Sequence, residues 1–238
     1  MFVKFSPINN RTIRIALVGC GRISQKHISA IIENSNNVKL VAICDPDKTR
    51  LDNAKKCIKD NSEINSIKYQ EPITFLDYKS LIEDSKKDNL LIDLIILTTP
   101  SGLHPSQVIL AAQAGINVCT EKPMATNWQD GLKMVKACDD SNVRLYVVKQ
   151  NRFNSTLQIL KKQVDSGRFG KLALVTSNVF WQRPQSYYDQ ANWRGTYEFD
   201  GGALMNQASH YVDLLSWLVG PVHSVSAYLA TIGRKIEV

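Results

Sequence analysis

The sequence predicts an α/β chain in two parts: a doubly wound parallel sheet over residues 1–150, then a smaller α+β domain over residues 151–238. Three observations carry this. Near-continuous apolar runs alternate with amphipathic stretches up to Gln150, and the first run breaks into a glycine turn and then into helix. Beyond Asn151 that alternation gives way to one long alternating segment and an aromatic loop. Strands covered on both faces read as unbroken apolar runs, whereas a strand with one wet face alternates.

The first strand is Ile13-Arg-Ile-Ala-Leu-Val18, followed by Gly19-Cys-Gly-Arg-Ile-Ser24 and, through Gln25, Lys26 and His27, by a helix. Gly19 permits the tight turn. Gly21 lets a pyrophosphate lie against bare backbone, and the helix N-terminus supplies N–H donors and a positive dipole end. The pattern is a dinucleotide-binding (Rossmann) fingerprint with Ser24 at the third position, where Gly or Ala is usual; a small residue there still permits close packing of helix on strand. The second strand, Val38-Lys-Leu-Val-Ala-Ile-Cys44, ends in Asp45. An acidic residue at that offset accepts hydrogen bonds from an adenine-ribose diol and repels a 2′-phosphate, which selects NAD over NADP. Asp before Pro is also a good helix start, so Asp45 as a helix cap is the competing account.

A helix over residues 48–58 follows, then a short strand at Lys68-Tyr-Gln70 and the segment 75–82. Residues 91–97 read as a buried strand. Thr98-Thr-Pro-Ser-Gly-Leu-His-Pro105 reads as a turn leading into a helix over 106–114 that Gly115 closes. Residues 117–120 form a short strand, 127–139 a helix and 145–150 the last buried strand. Such alternation gives a parallel sheet with right-handed crossovers, with ligands at the carboxyl ends of the strands. The turns after Val18, Cys44, Leu97 and Thr120 therefore face one crevice. The last of them is Glu121-Lys122-Pro123. A lysine held between a strand end and a proline, beside a cofactor that is positive when oxidised, has its pKa pushed down and can serve as general base or proton donor. An exposed surface lysine is the alternative.

In the second part, residues 153–166 read as a helix capped by Gly167 and 172–181 as a long strand of the antiparallel kind. Residues 182–199 form a loop carrying Tyr187, Tyr188, Trp193 and Arg194. Gly201-Gly202 introduces a helix over 203–219 in which Asn206, His210 and Asp213 share one face, opposite Leu204, Ala208, Tyr211, Leu215 and Leu218. A wet helix face explains that pattern without chemistry; a catalytic pairing of Asn206 with His210 is the other account. A last strand spans 224–230.

Composition narrows the class. The chain of 238 residues, 44% hydrophobic and 21% charged, is ordinary for a globular protein with a sizeable core. The apolar run from Leu90 to Leu97 is short and interrupted by Asp93, and residues 1–11 hold no apolar leader, so a cytoplasmic protein is expected. Five cysteines without a C-x-x-C pair predict neither a metal site nor a disulfide framework. The net charge of +7 is spread over many helices, and its concentration at residues 48–59 reads as a solvated helix face. Without aromatic interleaving it argues against nucleic acid, while favouring anionic substrates by steering.

Taken together, G-C-G-R-I-S-x-x-H, T-T-P-S-G-L-H-P, E-K-P and G-G-A-L-M-N-Q-x-x-H-x-x-D-L resemble the glucose-fructose oxidoreductase, inositol dehydrogenase and rhizopine-catabolism (Gfo/Idh/MocA) family over essentially the whole chain. The resemblance implies an NAD-dependent sugar dehydrogenase in which Lys122 and His210 are the catalytic pair, flanking the carbon that gives hydride to the nicotinamide. It implies cofactor contacts from Gly19, Gly21, Arg22, Ile23, Asp45, Thr99, Pro100, His104, Glu121, Lys122 and Gln150, and substrate contacts from Arg152, Trp193, Arg194 and Asn206. The commonest family pattern has Asp where this chain has Asn206. That departure, with K-Q-N-R-F-N at 149–154 and W-R-G-T at 193–196, looks like the UDP-N-acetylglucosaminuronate 3-dehydrogenases of surface-polysaccharide biosynthesis. An amide cannot relay a proton, so Asn206 would orient the substrate and the proton would go to Lys122 or His210. A free-sugar or inositol dehydrogenase and a non-catalytic NAD-binding protein are the rival readings. Family members run on well past a chain of this length and complete an open, mainly antiparallel sheet against a partner subunit. The second domain is therefore expected to look truncated, with an unpaired sheet edge, and the full-length form to be a homo-oligomer.

Overall fold

The computed structural model describes residues 8, 10–87 and 90–238. The expectation of a start without a leader falls largely on residues 1–7 and 9, outside them. The chain divides into two compact units, Met1–Val147 and Val148–Val238.

The first unit runs β1 (Ile13–Val18), α1 (Ser24–Glu33), β2 (Val38–Cys44), α2 (Lys48–Ile64), β3 (Ile73–Phe75), α3 (Tyr78–Lys86), β4 (Leu94–Leu97), α4 (His104–Gln113), β5 (Asn117–Thr120), α5 (Trp128–Asp140) and β6 (Leu145–Val147). All six strands are parallel in the order β3-β2-β1-β4-β5-β6. This is the doubly wound Rossmann order, and it reverses between β1 and β4, where a crevice opens at the carboxyl ends. Side chains alternate across each strand, so the sheet feeds two cores. Ile15, Leu17, Ile43 and Ile96 pack under Ile28, Ile31 and Ile32 of α1 and Leu51 and Ile58 of α2. Ala16, Val18, Ile95, Leu97 and Val118 pack under Leu81 of α3, Val108 and Ala111 of α4 and Met134 of α5.

Several boundaries differ from the sequence reading. No strand forms at Lys68–Gln70; Ile67 and Tyr69 pack against the α1/α2 core instead, and Ile73–Phe75 pairs with Ala42–Cys44. Helix α2 runs on to Ile64, its cap is Asp47 rather than Asp45, and the Asp47 carboxylate accepts the Thr49 N–H (2.9 Å). Strand β4 begins at Leu94 because Asp93 is spent on an ion-pair clasp at the amino end of the sheet. Its carboxylate accepts the Arg14 N–H (2.8 Å), Arg14 Nε (2.9 Å) and both Arg11 Nη atoms (2.6 and 2.7 Å). Burial alone would raise the Asp93 pKa, but these donors outweigh it and hold the carboxyl well below its ordinary range. Strand β6 ends at Val147, and the chain turns into a 3₁₀ segment at Gln150–Phe153.

The second unit contains α6 (Ser155–Asp165), α7 (Gln185–Tyr188), α8 (Gly202–Asn206) and α9 (Ser209–Val219). Its described residues form no strand. The segments 172–181 and 224–230, expected as strands, take no regular structure. A strand is held by a ladder partner, and none of the described residues supplies one. Leu174 is 81% exposed and Phe180 96%. The single helix expected over 203–219 is two: the Ala208 N–H bonds back to the Ala203 carbonyl (2.7 Å) and the Tyr211 N–H to that of Ala208 (2.9 Å), breaking the regular ladder. Asn206 and His210 thus sit on different helices. The buried positions of α9 are His210 and Leu214, not the leucine face the spacing suggested.

Candidate active site

The phosphate turn is built by backbone geometry. Gly19 has φ +90°, and a Cβ there would lie 2.8 Å from the Thr98 carbonyl carbon, so no other residue fits. Thr98 closes this approach. Its N–H donates to the Val18 carbonyl (2.8 Å) and its hydroxyl to the carbonyls of Val18 (3.0 Å) and Gly19. The turns after β1 and β4 are thereby stapled at the switch point. A Cβ at Gly21 would meet nothing within 4 Å, so open space lies over bare backbone, as a pyrophosphate requires. The buried Ser24 directs its hydroxyl to the Gly21 carbonyl (2.6 Å), while Arg22 and Ile23 stand exposed at the rim. Helix α1 has no side-chain cap. Its first N–H groups are therefore free of a carboxylate or hydroxyl competitor for an anion.

Asp45 is almost fully buried and holds this turn in place. Its Oδ2 accepts the Cys20 N–H (2.7 Å) and its Oδ1 the Asp47 N–H (2.9 Å). Burial, with Asp45 beside them, raises the Cys20 and Cys44 thiols to about 12, so both stay protonated small apolar fillers. All five cysteines are free.

Two further turns complete the edge. The Thr99 hydroxyl donates to Gln107 of α4 (2.6 Å), and Pro100 opens a 3₁₀ segment at Ser101–Leu103. His104 is fully buried. Its Nδ1 lies 3.0 Å from the Pro123 carbonyl and its Nε2 3.1 Å from that of Thr99, while burial pulls its pKa down despite these acceptors. The imidazole ties the β4 turn to the lysine turn, so its contribution reaches a ligand through those turns rather than by contact. Glu121 has both oxygens engaged, Oε1 with His27 Nε2 (2.9 Å) and Oε2 with the Lys122 N–H (3.1 Å). Lys122 is half-buried and precedes the buried Pro123.

In the second unit, Arg152 makes a two-pronged pair with Asp213, Nε to Oδ2 (2.8 Å) and Nη2 to Oδ1 (2.7 Å). Its guanidinium also lies over Trp217 (5.9 Å). Gln150 begins the 3₁₀ segment that carries Arg152. A separate cluster forms around Arg194, whose guanidinium stacks 4.2 Å from the Tyr187 ring centre and 5.6 Å from that of Trp193. Arg183 stacks between Trp181 (4.6 Å) and Tyr187 (4.8 Å). The buried Asp200 accepts the Gly195 N–H (2.8 Å) and the Asn206 side-chain amide, orienting Asn206. His210 is buried on α9. The structure thus gathers the dinucleotide candidates other than Gln150 on the first unit, and in the second it sets Gln150 and Arg152 in one cluster, Trp193, Arg194 and Asn206 in another, and His210 on α9. Sequence reasoning assigned no role to His27, Thr98, Gln107 or Asp200. Only the histidine of G-x-G-x-x-S-x-x-H and the acid just before Gly-Gly offered a signal.

Residues 13–149 match the family described as "Oxidoreductase family, NAD-binding Rossmann fold", and residues 157–238 match the GFO/IDH/MocA C-terminal domain. The chain belongs to the Gfo/Idh/MocA oxidoreductase family. Among solved structures it is similar to the WlbA dehydrogenase from Bordetella pertussis in complex with NADH and UDP-GlcNAcA, at 53% identity over 95% of this chain and TM-score 0.85. It is also similar to WlbA from Chromobacterium violaceum with the same two ligands, at 49% identity over 100% of this chain and TM-score 0.89. Each comparison covers 64% of the other protein, so this chain spans less than two thirds of either. Levoglucosan dehydrogenase from Pseudarthrobacter phenanthrenivorans is a more distant relative, 28% identical over 65% of this chain and 39% of its own length. No helix among the described residues is long and apolar enough to cross a membrane.

Proposed function

We propose that this chain belongs to an NAD-dependent dehydrogenase that oxidises a secondary alcohol of an anionic nucleotide sugar, the 3-hydroxyl of a UDP-N-acetylhexosaminuronate in surface-polysaccharide biosynthesis. The carrying observation is a glycine turn pinned by Asp45 and Thr98 beside the Lys122 turn, in a chain half-identical to dehydrogenases solved with NADH and UDP-GlcNAcA. The first unit takes the dinucleotide and the second the sugar. The N–H groups of the phosphate turn and of the first turn of α1 hold the pyrophosphate, and Asp45 accepts from the ribose diol. When bound, the dinucleotide supplies the hydride acceptor. Lys122 accepts the hydroxyl proton as the carbon loses hydride, His210 is the second acid–base group, and Asn206, fixed by Asp200, orients the substrate. Trp193 and Arg194 face the anionic nucleotide part, and Arg152, its charge met by Asp213, is a further substrate contact. In support, the buried Nε of Arg194 has no partner among the described residues. A cytoplasmic location suits the free cysteines.

Titration with NAD and NADP, followed by intrinsic fluorescence, tests the cofactor: NAD binds more tightly, and absent binding or a preference for NADP overturns this part. Reduction of NAD in the presence of UDP-GlcNAcA, free hexuronate or inositol tests the substrate. The nucleotide sugar gives the highest kcat/KM, and an inositol preference would turn the reading to a polyol dehydrogenase.

A further inference from the structure

The phosphate turn and the lysine turn are joined by a contact that neither the family match nor the proposed chemistry accounts for. His27 lies on α1 just beyond the anion-holding turn, and its Nε2 meets Glu121 Oε1 at 2.9 Å. Glu121 follows β5, and its other oxygen accepts the N–H of Lys122 at 3.1 Å. Both side chains are largely withdrawn from water, 16% exposed for His27 and 12% for Glu121. Burial alone would raise the Glu121 carboxyl, yet the His27 bond and the Lys122 N–H outweigh it and hold the group below its ordinary range. On the far side of the lysine turn His104 engages the Pro123 carbonyl, so the turn that carries Lys122 is held on both sides of that residue.

We propose that His27 is a positioning residue for Lys122: by fixing the Glu121 carboxylate it sets the Lys122 peptide. A carboxylate with one oxygen released can rotate and drop the N–H it holds. A displacement of a reacting group by about 1 Å costs on the order of 10²-fold in rate, so a side chain that touches neither substrate nor cofactor can act strongly through Lys122. The inference rests on the acid–base reading of Lys122 for its kinetic consequence, but its geometric content stands apart.

The test compares wild type, His27→Ala, His27→Gln and Lys122→Met in the full chain. Site-resolved amide exchange of Lys122, measured without ligands, is expected to speed up about tenfold in His27→Ala, the equivalent of one lost hydrogen bond. It should return towards wild type in His27→Gln, whose side-chain amide can still donate to Glu121. With NAD and UDP-GlcNAcA, His27→Ala is expected to lower kcat by roughly 10- to 100-fold with KM and NAD affinity unchanged, again restored by His27→Gln. Unchanged Lys122 exchange in His27→Ala overturns the proposal, as does faster exchange with full kcat, or a loss that falls on KM and melting temperature alone. Full turnover in Lys122→Met instead defeats the acid–base reading and leaves the exchange result to decide the clasp by itself.

Discussion

The two units hold their functional groups by different means. In the first, Leu17, Ile43, Ile95, Leu97 and Val118 are wholly enclosed between helices on both faces of a sheet, and the candidate groups hang from turns whose paths that sheet dictates. In the second, Leu214 alone among the described apolar residues is buried, together with the polar Asp200 and His210. Candidate residues there are held by polar bonds: Arg152 by Asp213, Asn206 and the Gly195 amide by Asp200, and Arg194 by aromatic rings and the Tyr187 carbonyl (2.7 Å). In the first unit a packed sheet sets where each turn begins, and single polar bonds such as Asp45 to the Cys20 N–H and His27 to Glu121 refine it, whereas in the second unit the clasps are the main hold and fail when one partner goes. Substitutions should therefore separate stability from function in the first unit.

The largest effect tests that separation directly. Lys122→Met removes a positioned acid–base group and is expected to cost about 10²- to 10⁴-fold in turnover, with NAD affinity and melting temperature unchanged. Retained turnover with lost NAD binding would make Lys122 a cofactor ligand and pass the proton to His210. Next, Leu97→Ala hollows a fully buried site at the end of β4. It should cost about 2–5 kcal/mol of unfolding free energy, read as a drop in the urea midpoint at constant slope.

Asp45→Ala is expected to weaken NAD by about tenfold or more, near 1.4 kcal/mol, and to shift the NAD-to-NADP ratio towards NADP. It loses an acceptor for the ribose and the charge that opposes a 2′-phosphate, and it also frees the Cys20 N–H from the turn. Asp47→Ala is the control. As the true cap of α2 it should cost about 1 kcal/mol of stability and leave both dissociation constants in the same ratio. An unchanged ratio in Asp45→Ala would reduce Asp45 to a structural pin. At the other end of the sheet, Asp93 makes the stability of the first unit acid-sensitive. Its folded pKa is depressed below 3.8, so its contribution is complete above the ordinary carboxylate range and is lost as pH falls through and below it. Melting curves from pH 7 down to pH 3 should show a shallower decline in Asp93→Asn than in wild type.

The extent to which the sequence was legible follows the same division. Strands β1 and β2 could be read to the residue because burial on both faces demands a nearly unbroken apolar run, and β5, Asn117-Val-Cys-Thr120, also lies where it was read although it carries no such run. Strand β3 could not, since a three-residue edge strand carries almost no pattern, and Ile73-Thr-Phe competes with Lys68-Tyr-Gln on β propensity alone. Asp45 announced itself by its distance from the glycines, but its bond to the Cys20 N–H is a product of the tertiary turn. His27 and Glu121 stand 94 residues apart, and their meeting depends on β1 and β5 flanking β4, which no local pattern encodes. The break at Gln207–Ala208 was hidden because both are good helix formers; the side-chain amide of Asn206 is instead drawn to Asp200. Arg152 and Asp213 were read apart, one as a substrate contact and the other as a wet helix face, yet each takes up the other's charge.

The smallest expected effect is the most informative about the second unit. Leu174 reads in sequence as part of a half-buried strand, and it is 81% exposed. Leu97→Ala and Leu174→Ala delete the same atoms, so any difference between them measures burial alone. A leucine that gives up no apolar contact on truncation should change stability by no more than about 0.5 kcal/mol, an order of magnitude below the upper estimate for Leu97. Amides of residues 172–181 should then exchange nearly as fast as an unstructured chain, while those of β1 and β4 exchange only on global unfolding. A fall of several degrees in melting temperature for Leu174→Ala would break the comparison, because it would mean that this segment is covered in solution. Repeating the melt over a range of protein concentrations would identify the cover: a dependence on concentration assigns it to a second copy of the chain, and its absence to a packing of residues 172–181 within the same chain.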